Sequence, residues 1–207
     1  MKKIIASLLA CVMLALFFVG CTSDHNENQS TGQPSTGETL SGLIEVAIPN
    51  LNMATLKSLV DICGEDLTWD TFAPYWNKDV GSGLYILRYP IDEDYCLVIS
   101  GASMEEPPEK IILEAVHSPE NYIDIKTESI DDFITSGVAA NATSAAKEKI
   151  LNAALEHCKT TYDYTDIKYF FDSDEWYVEF WENEAKIAAQ SVTLDKDGNV
   201  LSIRYAE

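Results

Sequence analysis

The feature that most constrains the fold is a change of hydrophobic period late in the chain. Ala146, Ile150, Ala153, Ala154, Cys158 and Tyr162 recur at helical spacing, with Lys147, Glu148, Asn152, Glu156 and Lys159 between them. A stripe of that kind is the buried face of an amphipathic helix. Thr143 or Ser144 supplies its N-cap, and the helix is expected to run to about Thr161. The period then drops to two. Trp176, Val178 and Phe180 alternate with Tyr177, Glu179 and Trp181, which marks a strand with one apolar and one mixed face. Strands are also predicted over Ile167–Phe171, Ala185–Leu194 and Val200–Tyr205. Asp195-Lys196-Asp197-Gly198-Asn199 forms a tight hairpin between the last two, with Gly198 at positive φ. One helix followed by antiparallel strands is an α+β arrangement.

The preceding stretch carries the same grammar in shorter units. Asn52 is an N-cap, Leu56, Leu59, Val60 and Cys63 follow at helical spacing, and Gly64 ends the run. Thr68–Trp76 is aromatic but interrupted by Pro74, so an irregular segment is expected. Gly81-Ser82-Gly83 is a turn. It lacks the lysine and downstream helix that a phosphate cradle needs. Leu84–Tyr89 and Tyr95–Ser100 read as a hairpin around an acidic turn, and Ile111–Val116 and Tyr122–Ile125 as further strands. Ser129 caps a short helix ending near Gly137. The small, polar run Gly137–Ser144 is placed as a domain boundary. The expected organisation is α+β in two small helix-on-sheet modules, residues 42–137 and 143–207.

Two resemblances attach to these patterns. The short helix ending in glycine, the Gly-Ser-Gly turn and the strand Leu-Tyr-Ile-Leu-Arg-Tyr with its hairpin resemble small modules of bacterial lipoproteins over about residues 50–117. Those modules include outer-membrane-assembly lipoproteins and β-lactamase-inhibitor-like repeats. The late helix, Trp-Tyr-Val-Glu-Phe and the final Val-Thr-Leu-Asp-Lys-Asp-Gly-Asn-Val-Leu-Ser-Ile resemble the cystatin-like PepSY family over roughly residues 144–205. That resemblance implies binding or inhibition rather than catalysis.

The amino-terminal stretch concerns location. Met1-Lys2-Lys3 is cationic, Ile4–Val19 is apolar apart from Ser7, and Gly20 stands before Cys21. This order describes a secretory signal over residues 1–20. The apolar stretch falls short of the roughly 20 residues that span a bilayer. Val-Gly-Cys resembles the lipobox of bacterial lipoproteins, with Phe18 where that family usually has leucine. The resemblance implies cleavage before Cys21 and a diacylglyceryl group on its thiol, with palmitate-type acyl chains. An ordinary cleaved signal and an uncleaved membrane helix are the alternatives. Thr22–Leu40 is almost devoid of apolar residues, so residues 21–41 are expected to be a lipidated cysteine and a disordered linker reaching roughly 25 Å.

Charge makes such an anchor physically necessary. The 207-residue chain has a formal charge of −20, and cleavage would remove two lysines and no acid, giving −22. An anionic lipid surface repels that body, and two acyl chains hold it there. The same acidity argues against nucleic acid, which is bound through Lys and Arg. An apolar content of 46% is enough for a core.

Catalytic and metal-binding patterns are sparse. His25, His117 and His157 form no His-Glu-x-x-His motif, and there is no Cys-x-x-Cys. Asp195, Asp197 and Asn199 space oxygens like a calcium loop. However, Gly198 falls at position 4 rather than 6, and Ala206 stands where the bidentate glutamate belongs. Cys63, Cys96 and Cys158 are an odd number of thiols, read mainly as buried apolar residues, with a Cys63–Cys96 bridge as the alternative. No cofactor, metal or catalytic residue is expected, and no Gly-x-Ser-x-Gly elbow is present. If Tyr177 and Trp181 lie on the outer sheet face, they form a binding patch. The expectation is a non-enzymatic, extracytoplasmic lipoprotein held on the cell membrane through Cys21 and binding a protein or peptide partner. A carbohydrate- or solute-binding surface protein is the alternative.

Overall fold

The computed structural model describes residues 48–183 and 186–206. Cys21, the signal segment and the linker lie outside the described residues. The chain is α+β, with a five-stranded and a four-stranded antiparallel sheet, each a simple meander.

The first helix, α1 (Met53–Cys63), starts where the Asn52 side chain accepts the Thr55 amide at 3.0 Å and stops at Gly64, φ 56°. These are the cap and stop expected. The Thr68–Trp76 segment is more regular than predicted. Its first half closes into a single helical turn, α2 (Trp69–Phe72), because the Thr68 amide donates to Thr71 Oγ1 at 3.2 Å. Pro74 bounds that turn without preventing it.

The first sheet comprises β1 (Lys78–Asp79), β2 (Tyr85–Pro90), β3 (Tyr95–Gly101), β4 (Lys110–Ala115) and β5 (Ser118–Asp124). Gly81 is required in the turn before β2, since a Cβ there would fall 1.8 Å from the Leu84 carbonyl oxygen. Leu87, Tyr89, Leu97, Ile99, Ile111 and Leu113 point to one face and meet Leu51, Leu56, Phe72 and Phe133 in a buried core. Phe133 belongs to α3 (Ile130–Thr135), capped by Ser129 as anticipated. Arg88, Cys96 and Glu114 lie on the opposite face, set beside one another by the β2–β3–β4 register.

The long helix, α4 (Val138–Leu155), begins five or six residues earlier than Thr143–Ser144 and ends six before Thr161. Residues 138–142, between the two expected modules, are helix. The run is small and polar, but it is rich in alanine, the best helix former. Gly137 turns into it at φ 69°. Thr143 is buried and reaches the Glu93 carbonyl, and Ser144 bonds back to the Ala140 carbonyl at 2.8 Å. Both potential caps are therefore used inside the helix. Cys158 still packs against the second core beyond the helix end.

The second sheet comprises β6 (Tyr164–Phe170), β7 (Glu175–Trp181), β8 (Gln190–Asp195) and β9 (Val200–Tyr205). Trp176, Val178, Phe180, Val192 and Leu194 are at most 1% exposed and close over Ile150 and Ala154 of α4. Ala139, at the other end of α4, belongs to the first core. Gln190 is fully buried and satisfied. Its amide donates to the His157 carbonyl at 2.8 Å and accepts the Lys159 amide at 2.9 Å. The third strand starts at Gln190, and residues 186–189 of the expected span lie outside it, while Ala185 lies outside the described residues. Gly198 turns the final hairpin at φ 92°.

Candidate functional site

Because α4 covers the Trp176–Val178–Phe180 face of the second sheet, the other face is open. Tyr177 and Trp181 both lie on it, two pleats apart. Trp181 sits opposite Tyr164, and the rings stack with centroids 6.2 Å apart and planes 4° apart. Tyr177 meets Phe170 edge-on at 6.2 Å, and its hydroxyl hydrogen-bonds Ser191 Oγ at 3.0 Å. Tyr164 and Phe170 are half exposed, at 50% and 49%. Between the two aromatic pairs, Lys168 bridges Asp166 at 2.6 Å and Glu179 at 3.6 Å. The face is therefore two aromatic platforms separated by a short charged row.

A second arrangement was not anticipated. A cleft of about 780 Å³ is walled by α4, the β4–β5 hairpin, the back of the first sheet and the turns of the second. Arg88 and Glu114 form an ion pair at 2.8 Å, with side chains only 19% and 11% exposed. The Arg88 guanidinium lies 4.9 Å from the centroid of Phe171. His117 is held between Trp176 at 4.7 Å and Tyr169 at 4.9 Å. The Tyr169 hydroxyl donates to Asp174 at 2.7 Å, and Lys78 donates to the other Asp174 oxygen at 3.1 Å. Arg88 Nε and His117 Nε2 are buried without a hydrogen-bond partner among the described residues.

Burial dominates the electrostatics. It pushes the Glu114 carboxyl above its ordinary value, and the Arg88 charge only partly counteracts this. Burial opposes the charge on Arg88, but Cys96 and Glu114 more than offset it. The buried Cys96 thiol is pushed up to about 12 and is uncharged at neutral pH, so Glu114 is the operative partner. Burial lowers His117, leaving a neutral imidazole at neutral pH. No nucleophile or carboxylate is hydrogen-bonded to that imidazole among the described residues. Cys63 and Cys96 are free, as is Cys158. Cys63 packs into the first core, whereas Cys96 faces Arg88 behind the same sheet, so the sheet separates them.

Among the described residues no group of three or more His, Cys, Asp or Glu side chains is arranged to hold a metal ion. No described helix is long and apolar enough to cross a membrane. Asp195 accepts the amides of Asp197 and Asn199 at 2.9 and 2.8 Å and the Asn199 side chain at 2.8 Å. Its oxygens thus serve the hairpin.

The sequence patterns assigned no role to His117 or Arg88. The available signal was an arginine at an alternating position of an apolar strand, facing away from the core. Its partners come from β4 and from the second sheet, and no local pattern joins them. No family model matches the chain, and neither a curated protein nor a solved structure matches it.

Proposed function

We propose that this protein is a non-catalytic binding module built as two helix-on-sheet units, 42–137 and 143–207. In this reading a diacylglyceryl group on Cys21 holds it on the extracytoplasmic face of the cell membrane, where it engages a protein or peptide partner. The observation that carries the reading is the open face of the second sheet. Half-exposed Tyr164 and Phe170, backed by the partly buried Trp181 and Tyr177 rings, are the composition of binding surfaces, and Trp181 Nε1 is buried without a hydrogen-bond partner among the described residues. The cleft chemistry supports a non-catalytic role, because Arg88 is paired with Glu114, Asp174 with Tyr169 and Lys78, and the histidine is packed between rings with no hydrogen-bonded carboxylate or nucleophile among the described residues.

The test is a photo-crosslinking side chain at Tyr177 in intact cells, alongside Trp181→Ala. A captured partner whose yield falls about tenfold with Trp181→Ala supports the proposal. Unchanged capture in the variant refutes it. The anchor has its own readout: Cys21→Ala releases the protein from the membrane fraction.

The cleft favours a second reading, a solute-binding surface protein. A cavity of about 780 Å³ is in the range of small-molecule sites. A ligand carbonyl or hydroxyl there would relieve Arg88 Nε and His117 Nε2. A melting shift with a sugar or short peptide that Arg88→Met abolishes would favour this reading over the first.

A further inference from the structure

Beyond the sheet face and the cleft, a separate slot of about 520 Å³ lies where the Pro90–Glu93 turn meets the Phe170–Asp172 turn. Its aromatic lining is Trp76, Tyr169, Phe170 and Phe171, with Trp76 and Phe171 edge-on at 6.5 Å and Tyr169 already engaged by Asp174, His117 and Trp176. Its charged lining is Asp92, Glu93 and Asp172, and no lysine or arginine is among the lining residues. Glu93 is already taken by Lys147 at 2.6 Å. Asp92 uses Oδ1 for the Asp94 and Tyr95 amides, both at 2.9 Å, and keeps Oδ2 free of described partners. Arg88 already lies over Phe171 and Tyr169 is packed against His117 and Trp176, so the rings left for an incoming group are the Trp76 indole and the Phe170 phenyl.

We propose that this slot receives a cationic side chain, a lysine ammonium or arginine guanidinium, from the peptide partner. The inference rests on the binding reading above and adds the chemistry of the partner. An indole attracts a cation through its electron-rich face, and flanking carboxylates add Coulomb attraction. The acidic body of the chain draws cations toward the site. The cation comes from another molecule, because the chain has no lysine or arginine between Lys3 and Lys57. Phe170 belongs to both places. Its ring meets Tyr177 on the open sheet face and lines the slot. Tyr164 to Phe170 spans about 20 Å of strand. A peptide of about six extended residues laid on the aromatic face therefore reaches the slot.

The experiment is calorimetric titration of the full chain with acetyl-Phe-Gly-Lys-amide, and with the same peptide carrying norleucine in place of lysine. The lysine peptide is expected to bind about tenfold more tightly, with the difference shrinking as salt rises. Asp92→Asn with Asp172→Asn should remove about that factor, and so should Trp76→Leu, each with an unchanged urea midpoint. Asp61→Asn with Asp66→Asn removes the same charge from an exposed helix end and should leave affinity within about twofold. Equal binding of the norleucine peptide overturns the proposal. Equal losses in the two aspartate pairs also overturn it, since only the general acidic field would then be acting. The readout is peptide binding to the purified chain, so its failure is distinct from failure of partner capture at Tyr177.

Discussion

Removing one member of the Arg88–Glu114 pair should be costly, while removing both should not. The two groups meet at 2.8 Å with side chains 19% and 11% exposed. At a charge separation of about 4 Å and an effective dielectric of about 20, their attraction is about 4 kcal/mol. Desolvation of each ion opposes it by a comparable amount, which is why the Glu114 carboxyl stays above its ordinary value beside a cation. The intact pair is therefore nearly neutral in net terms. Glu114→Leu leaves the guanidinium buried with only the Phe171 face and its unpartnered Nε, at a cost of about 3 kcal/mol. Arg88→Met leaves a carboxylate that can escape by protonation, so its cost should be smaller, about 2 kcal/mol. The double variant keeps the volume of both side chains and should lie within about 1 kcal/mol of the parent. Urea unfolding of the four proteins at neutral pH closes the cycle, with a coupling of roughly 4 kcal/mol. A double variant that loses the sum of the single losses would show that the two charges are independent and that no such pair energy exists.

Burial depresses His117 below its ordinary 6.5, so the unfolded chain binds more protons between that folded value and 6.5. Its contribution to stability is full above 6.5 and is lost as pH falls through this window. His117→Phe keeps the ring contacts and should remove that slope from the difference between variant and parent, measured by urea midpoints against pH. Ile150→Ala should cost about 3 kcal/mol in the same assay, since this fully buried side chain seats α4 on Trp176 and Val178. Gly198→Ala meets no contact closer than 3.7 Å but holds φ at 92°, so its cost should be about 1–2 kcal/mol of backbone strain. Gly81→Ala should exceed it, because the Leu84 carbonyl must move.

Local rules carried a large part of the architecture. Asn52 and Ser129 cap because a side-chain oxygen three residues before an amide needs no tertiary help. Trp176, Val178 and Phe180 face the core because side chains alternate along any strand. The same alternation put Tyr177 and Trp181 together on the opposite face. The α4 boundaries were misjudged because Thr143 and Ser144 have cap chemistry but serve tertiary and back-bonding roles inside the helix.

Local periodicity was therefore enough for the α+β class, for the order of the longer helices and strands, though not for α2 or β1, and for which residues of each strand share a face, since helix and strand periods are properties of the backbone. Which faces meet depends on packing between distant segments. Arg88 and Glu114 are 26 residues apart and become partners through strand register. His117 lies 59 residues before Trp176 and stacks on it through packing of the first sheet's hairpin against the second sheet. Trp76 and Phe171 come from opposite halves of the described chain to form one slot. Such contacts depend on long-range burial rather than local periodicity, which is why the aromatic face was legible in the chain and the cleft and slot were not.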